Sequence, residues 1–228
     1  MESARQAILE RICGAHALRS ATDGRDSGAT SYDAISRAYQ RAGSLHDAGR
    51  VELFEHRLKE YDAGVQYAST ENIADAVKEI LASRGRRNMV APSGLPAAWL
   101  PEGFTFTLGD GLTANDLDHF DGVLTGCTLA IALTGSIVLQ SGAGQGPRRL
   151  SLIPDYHLCV VLAEQIVETV SEAFDRIEPT ATLPTTFISG PSATADIEMT
   201  RIKGVHGPRF LDVLIVQDKN RICDREKL

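Results

Sequence analysis

The chain predicts an α/β fold, a mainly parallel sheet with flanking helices and one additional helix at the N-terminus. Three observations predict it. Short apolar runs alternate with helical stripes between Val51 and Leu108, the pattern of strands joined by crossover helices. At 228 residues the chain can hold one large α/β domain, or one domain plus an appendage. The stretch Thr185–Val216 begins and ends in buried apolar runs separated by glycine- and proline-rich breaks.

The elements follow in order. Ala4–Leu18 forms a helix with Ile8, Ile12 and Ala15 on one side. Ser20–Ser31 lacks large apolar residues and reads as a linker. This divides the chain into residues 1–44, helix and linker, and a domain over 45–228. Val51, Phe54, Leu58 and Tyr61 mark one helical face. Gly64–Ala68 is a strand, and Thr70 is a candidate N-cap for the helix carrying Ile73, Val77, Ile80 and Leu81, which Gly85 ends. Asn88–Ala91 and Phe104–Leu108 are strands, and Trp99 anchors packing between prolines. Asp116, Asp118, His119 and Asp121 lack calcium-loop spacing and read as a solvated helix face, with Leu117 and Phe120 turned inward. Val123–Thr125 and Ile137–Gln140 are strands. Gly142, Gly144 and Gly146 suit a flexible hairpin; the competing reading is an anion loop helped by Arg148 or Arg149. Pro147 and a strand-like RRLSLI argue against a dinucleotide fingerprint. Leu158–Leu162 is a strand, and Glu164–Ile177 is one helix with Ile166, Val167, Val170, Phe174 and Ile177 on a shared face.

Composition narrows the function. A net charge of −7 offers no broad basic footprint for nucleic acid. No apolar run reaches the ~20 residues that cross a bilayer, and the start is amphipathic and charged, so the expected location is the cytoplasm. The four cysteines are far apart and form no CxxC run, so neither a metal site nor an iron–sulfur cluster is expected in this chain.

Thr185–Val216 concentrates the chemistry. Thr185–Ile188 is a strand stopped by Ser189, Gly190 and Pro191; Thr194–Thr200 starts a short helix; Leu211–Val216 is a second buried strand. Ser192, Thr194, Asp196, Glu198 and His206 fall within fifteen residues, among Gly190, Gly204 and Gly207. Two readings stand side by side. Ser192 or Thr194 caps the helix and Asp196 complements its dipole, or these side chains meet a ligand at one end of the sheet. His206 is either packed or chemical. The turn Thr134–Gly135–Ser136 is a second polar break and is expected near the first in space.

The motifs GPSATADIE (Gly190–Glu198) and GVHGP (Gly204–Pro208) resemble the signature of the LUD domain and, more narrowly, the lactate-utilization protein C family. The resemblance extends upstream through LTGSIVL (Leu133–Leu139) and RRLSLIPDYH (Arg148–His157). It implies a fold like that of ribose-5-phosphate isomerase, CoA transferases and 5-formyltetrahydrofolate cyclo-ligase. It also implies a role in L-lactate use beside cysteine-rich iron–sulfur partner proteins. A small anionic ligand is a separate expectation. Two positions depart from the pattern: Leu133 stands where an acidic residue precedes the turn, and Ala193 where an arginine follows GPS. An accessory subunit without redox centres is one expectation. The other is an enzyme of the CoA-transferase or isomerase type acting on an acyl or phosphorylated substrate. Asp196, Glu198 and His206 would be its acid/base groups, and Thr134, Gly135, Ser136, Gly190, Ser192, Thr194 and Gly207 its ligand-binding residues.

Overall fold

The computed structural model describes residues 4–23, 36, 40–194, 202–203 and 207–217. The chain divides into two compact units, Met1–Tyr39 and Gln40–Leu228. The first contains α1 (Ala4–Asp23), which takes in the first residues of the expected linker. The rest of that linker, to Ser31, lies outside the described residues.

The second unit opens with Gln40–His46, held by carboxylates. The Leu45 N–H donates to Glu168 at 2.6 Å and the Gly43 N–H to Glu172 at 3.0 Å. Then come α2 (Asp47–Glu60), β1 (Gly64–Ala68), α3 (Ile73–Ser83), β2 (Asn88–Ala91), β3 (Thr105–Leu108), α4 (Ala114–Leu117) and β4 (Gly122–Thr125). β5 (Leu129–Ile131), β6 (Ser136–Gln140), β7 (Tyr156–Leu162), β8 (Ile166–Val167) and α5 (Val170–Ile177) follow. β9 (Thr185–Ile188), β10 (Ala193–Thr194), β11 (Ile202–Lys203) and β12 (Phe210–Val216) complete it.

Six strands form a parallel sheet in the order β1-β12-β7-β4-β2-β3. The expected α/β class is therefore what the chain adopts. Side chains of a strand alternate between faces. On one face Leu158, Val160 and Leu214 pack against Val77, Ile80 and Leu81 of α3. Trp99 packs against the same cluster. On the other face Cys159, Val161, Val213 and Ile215 meet Val51, Phe54 and Leu58 of α2. Each such side chain, fully buried, contributes roughly 1.5–3 kcal/mol of apolar transfer. Leu117 of α4 is buried with Val90 and Val123, and Phe120 packs beside it.

A second sheet, β8-β5-β6-β9, escaped the sequence reading. β6 runs antiparallel to both β5 and β9, whereas β8 is parallel to β5. Its Ala130, Ile137 and Ile166 join the core under α2, while Leu129, Val138 and Val167 face Ala173 and Ile177 of α5. The expected helix Glu164–Ile177 is thus corrected. Ile166 and Val167 are β-branched and extend as β8, and the helix starts only at Val170. Thr169 sets that start, its hydroxyl accepting from the Glu172 N–H while the Glu172 carboxylate accepts from the Thr169 N–H. Val170 and Phe174 consequently stay exposed.

Three smaller expectations also change. Asn72, not Thr70, precedes α3, and its side chain accepts from the Ser69 N–H and hydroxyl. RRLSLI is not a strand: after Pro147, Arg148–Ser151 make a 3₁₀ turn that buries Leu150. The expected helix Thr194–Thr200 fails at its first residue, because Thr194 is extended and pairs with Ile202 in a two-stranded ribbon. Residues 195–200 lie outside the described residues.

Candidate functional site

β7 and β12 are neighbours, with Tyr156 opposite Phe210 and His157 opposite Leu211. His157 faces the α2 side of the sheet, close to the strands' amino ends. It is buried, and Nε2 lies 2.8 Å from the Thr125 hydroxyl. Nδ1 is equally buried and has no hydrogen-bond partner. Burial, and after it the charge of Arg148, depress the His157 pKa to about 4, so the ring is neutral at pH 7.

His157 lines a cavity of about 260 Å³. One wall is the 3₁₀ turn, with Arg148 and Ser151; the Arg148 Nη1 donates to the Ser151 hydroxyl at 2.9 Å. The facing wall is the corner from Phe187 through Ala193, and Gly207, Pro208 and Leu211 complete the lining. Arg148 is the one charged side chain among these residues. Burial lowers its pKa from the ordinary arginine value, yet a guanidinium stays cationic in proteins. Phe187, Ile188, Pro191 and Leu211 make the rest largely apolar.

The Ser192 N–H donates to the Pro208 carbonyl at 2.8 Å, two residues before β12 begins. That bond fixes the GPS corner at the amino ends of the central strands. Open α/β sheets more often bind ligands at the carboxyl ends. There a second cavity of about 300 Å³ includes Thr70, Leu162, Arg176 and Gln217. Its Arg50 bonds to Asp47, and its Arg176 donates to the Glu164 carbonyl.

The two predicted motifs meet. The Thr134 and Ser136 hydroxyls lie 2.8 Å apart, and Ser136 reaches the Ser189 hydroxyl at 2.7 Å. Gly190, Ser192 and Gly207 line the cavity, but Thr134, Gly135 and Ser136 stand behind its wall. Gly135, with φ of 60°, presses on α2: a Cβ there would lie 2.7 Å from the Arg57 Cβ. Gly190, with φ of 81°, would place a Cβ 2.4 Å from that of Tyr61. Thr194 lies in β10, one residue beyond the lining. Asp196, Glu198 and His206 lie outside the described residues. Among the described residues no three His, Cys, Asp or Glu side chains gather as a metal site requires. Ala193, where the resemblance has arginine, lines the cavity, whereas Leu133 is half exposed and does not.

Arg148 entered the sequence reading only as a charge on a glycine loop, and Ser151, His157 and Ser189 carried no assigned role. Period-2 alternation through YHLCVVL puts His157 inside, but an interior histidine looks the same in sequence whether or not both ring nitrogens are paired. Arg149, the other candidate, donates instead to the carbonyls of Leu112 and Asp110.

The chain is thus a parallel α/β domain with a small cavity at the amino ends of its central strands, lined among the described residues by one charged side chain, Arg148. Residues 112–216 match the LUD domain, a span that contains both cavity walls. Lactate utilization protein C of Deinococcus radiodurans is 43% identical over 181 residues, covering 78% of this chain and 84% of that protein. Lactate utilization protein C of Halalkalibacterium halodurans is 36% identical over 102 residues, covering 42% of this chain and 44% of its own length. A crystal structure of a DUF162 family protein from Deinococcus radiodurans superposes with a TM-score of 0.67 at 38% identity, covering 76% of this chain and all of that one. The chain belongs to the LUD domain family of lactate utilization protein C.

Proposed function

We propose that this chain is an accessory subunit of an L-lactate utilization system, working in the cytoplasm with cysteine-rich iron–sulfur proteins that bring the redox centres. The observation that carries this reading is the 43% identity across most of a relative named lactate utilization protein C. Chemistry supports the division of labour. Oxidising a 2-hydroxy acid to a 2-oxo acid needs an acceptor for two electrons, which cofactors supply. Cys127 and Cys159 are buried in the core, and the four cysteines have no cluster spacing in sequence. No helix among the described residues is long and apolar enough to cross a membrane.

The competing reading is an enzyme of the CoA-transferase or isomerase type. The cavity itself favours it. His157 argues against its own use as the base, since a group with a pKa near 4 accepts protons poorly at pH 7. That reading therefore rests on Asp196, Glu198 and His206.

The test is an L-lactate-dependent dye-reduction assay on the purified chain, then on the chain mixed with candidate cysteine-rich iron–sulfur proteins from the same organism. The expected result is no reduction by the chain alone, and activity in the mixture that falls when the chain is left out. Reduction by the metal-free chain alone would overturn the accessory role.

A further inference from the structure

We propose that the cavity between the 3₁₀ turn Arg148–Ser151 and the Phe187–Ala193 corner binds the carboxylate of a small monocarboxylic acid, with the Arg148 guanidinium and His157 Nδ1–H as the two groups that hold it. The inference stands on this geometry and not on the lactate reading.

Three observations select the ligand. The first is charge. Among the described residues Arg148 is the one charged side chain lining the cavity and His157 is neutral, so these residues offer a single positive charge. That balances one carboxylate and leaves a phosphate dianion under-compensated. The second is the buried imidazole. Thr125 takes Nε2 and leaves Nδ1 without a partner, although buried polar atoms are nearly always paired. His157 lines the cavity, and a small shift of the ring on binding would bring the buried Nδ1 to a carboxylate oxygen there. The third is size and lining. About 260 Å³ lies at the small end of ligand pockets and suits an acid of a few carbons, its short tail against Phe187, Ile188 and Leu211.

The Thr125–His157 pair makes the proposal specific. A neutral imidazole donates from one nitrogen and accepts at the other. Without an acceptor at Nδ1, and beside the Arg148 charge, the stable tautomer carries its proton on Nε2 and donates to the Thr125 hydroxyl. A carboxylate reverses this: Nδ1–H donates to the ligand, and the Thr125 hydroxyl turns to donate to Nε2. Binding therefore moves one proton across the ring without ionising it, and the rotating hydroxyl keeps every bond satisfied.

The experiment is nitrogen-15 NMR of imidazole-labelled full-length protein, titrated separately with acetate, L-lactate, pyruvate and inorganic phosphate. His157 is assigned by loss of its signals in His157→Gln. The expected result is a saturable shift of His157 from the Nε2–H to the Nδ1–H pattern with at least one of the three carboxylates, and weaker binding of phosphate. Arg148→Met, shown folded by its circular dichroism and melting curve, should weaken that carboxylate at least about tenfold, the value of one charge-assisted hydrogen bond. An unchanged His157 spectrum with all three carboxylates would overturn the site, as would full affinity in folded Arg148→Met. Tighter phosphate binding would overturn the carboxylate assignment. None of these outcomes touches the dye-reduction test, so the anion site and the lactate role fail separately.

Discussion

Tyr156 and His157 are consecutive residues on β7, and they point to opposite faces of the same sheet. Both are buried and polar, and both lie at the amino end of the strand. Behind the sheet, the Tyr156 hydroxyl donates to Asp212 at 2.8 Å, and Arg84 grips the same carboxylate with two bonds of 2.8 and 2.6 Å. Burial, and after it the charge of Asp212, hold the Tyr156 pKa well above the ordinary phenol value. Arg86 stacks 5.8 Å from its ring. That cluster is closed: its polar groups have found each other. In front of the sheet, His157 has one bond, one unpaired nitrogen and a cavity beside it. The difference separates polar groups that hold the fold from polar groups kept open for something else. A buried network adds to stability when complete and costs stability when it is not.

The largest effect that can break this comparison comes from the closed side. Asp212→Ala removes the acceptor shared by Tyr156 and Arg84. Deleting one partner of a buried ion pair costs about 3–5 kcal/mol, and the lower half of that range applies because the Arg84 side chain is 41% exposed. Denaturant unfolding should therefore show a loss of about 3–4 kcal/mol. A loss under about 1 kcal/mol would mean that the closed cluster does not hold the fold.

The next effect is read by pH on the open side. His157 has a depressed folded pKa, about 4 against an ordinary 6.5, so the unfolded chain binds the extra proton first as pH falls. The stability linked to a neutral His157 is fully present above pH 6.5 and is lost as pH falls through about 4. Between pH 7 and pH 4 the native protein should lose roughly 2–3 kcal/mol more than His157→Gln, which has no proton to gain. Parallel pH–stability curves for the two would show that His157 is not held neutral by burial.

The contrast also marks where sequence stops being informative. The parallel sheet was legible because burial on both faces leaves continuous apolar runs such as Leu211–Val216. β9 was legible from Pro184 before it and the Ser189–Pro191 break after it. The assembly of β9 with β6, β5 and β8 into a second sheet was not. β8 is only two residues long, and Ile166 and Val167 fit the stripe of the following helix as well as they fit a strand. The meeting of Thr134–Ser136 with Ser189 was foreseen from two polar breaks, but the cavity was not. It forms from Arg148, His157 and the GPS corner, which come together only through the β7–β12 register and the Ser192–Pro208 bond. Contacts between residues so far apart leave no local periodicity to read.

The smallest effect is the sharpest comparison. Thr125 and His157 bond only to each other through Nε2, so each single change strands the other inside the sheet. Thr125→Val leaves Nε2 unpaired, and His157→Leu leaves the hydroxyl unpaired; each should cost on the order of 1–2 kcal/mol. The double variant removes both polar groups and the unpaired Nδ1 with them. Replacing both partners by apolar groups of similar shape is close to neutral, so Thr125→Val/His157→Leu should lie within about 0.5 kcal/mol of the native protein. A double-mutant cycle measures this as a favourable coupling lost once, not twice. Asp212 admits no such rescue, because Arg84 keeps its charge whatever replaces Tyr156. If the Thr125/His157 double variant unfolds as readily as the two single losses added together, the open pair is structural after all. Tyr156 and His157 would then differ only in which way they face.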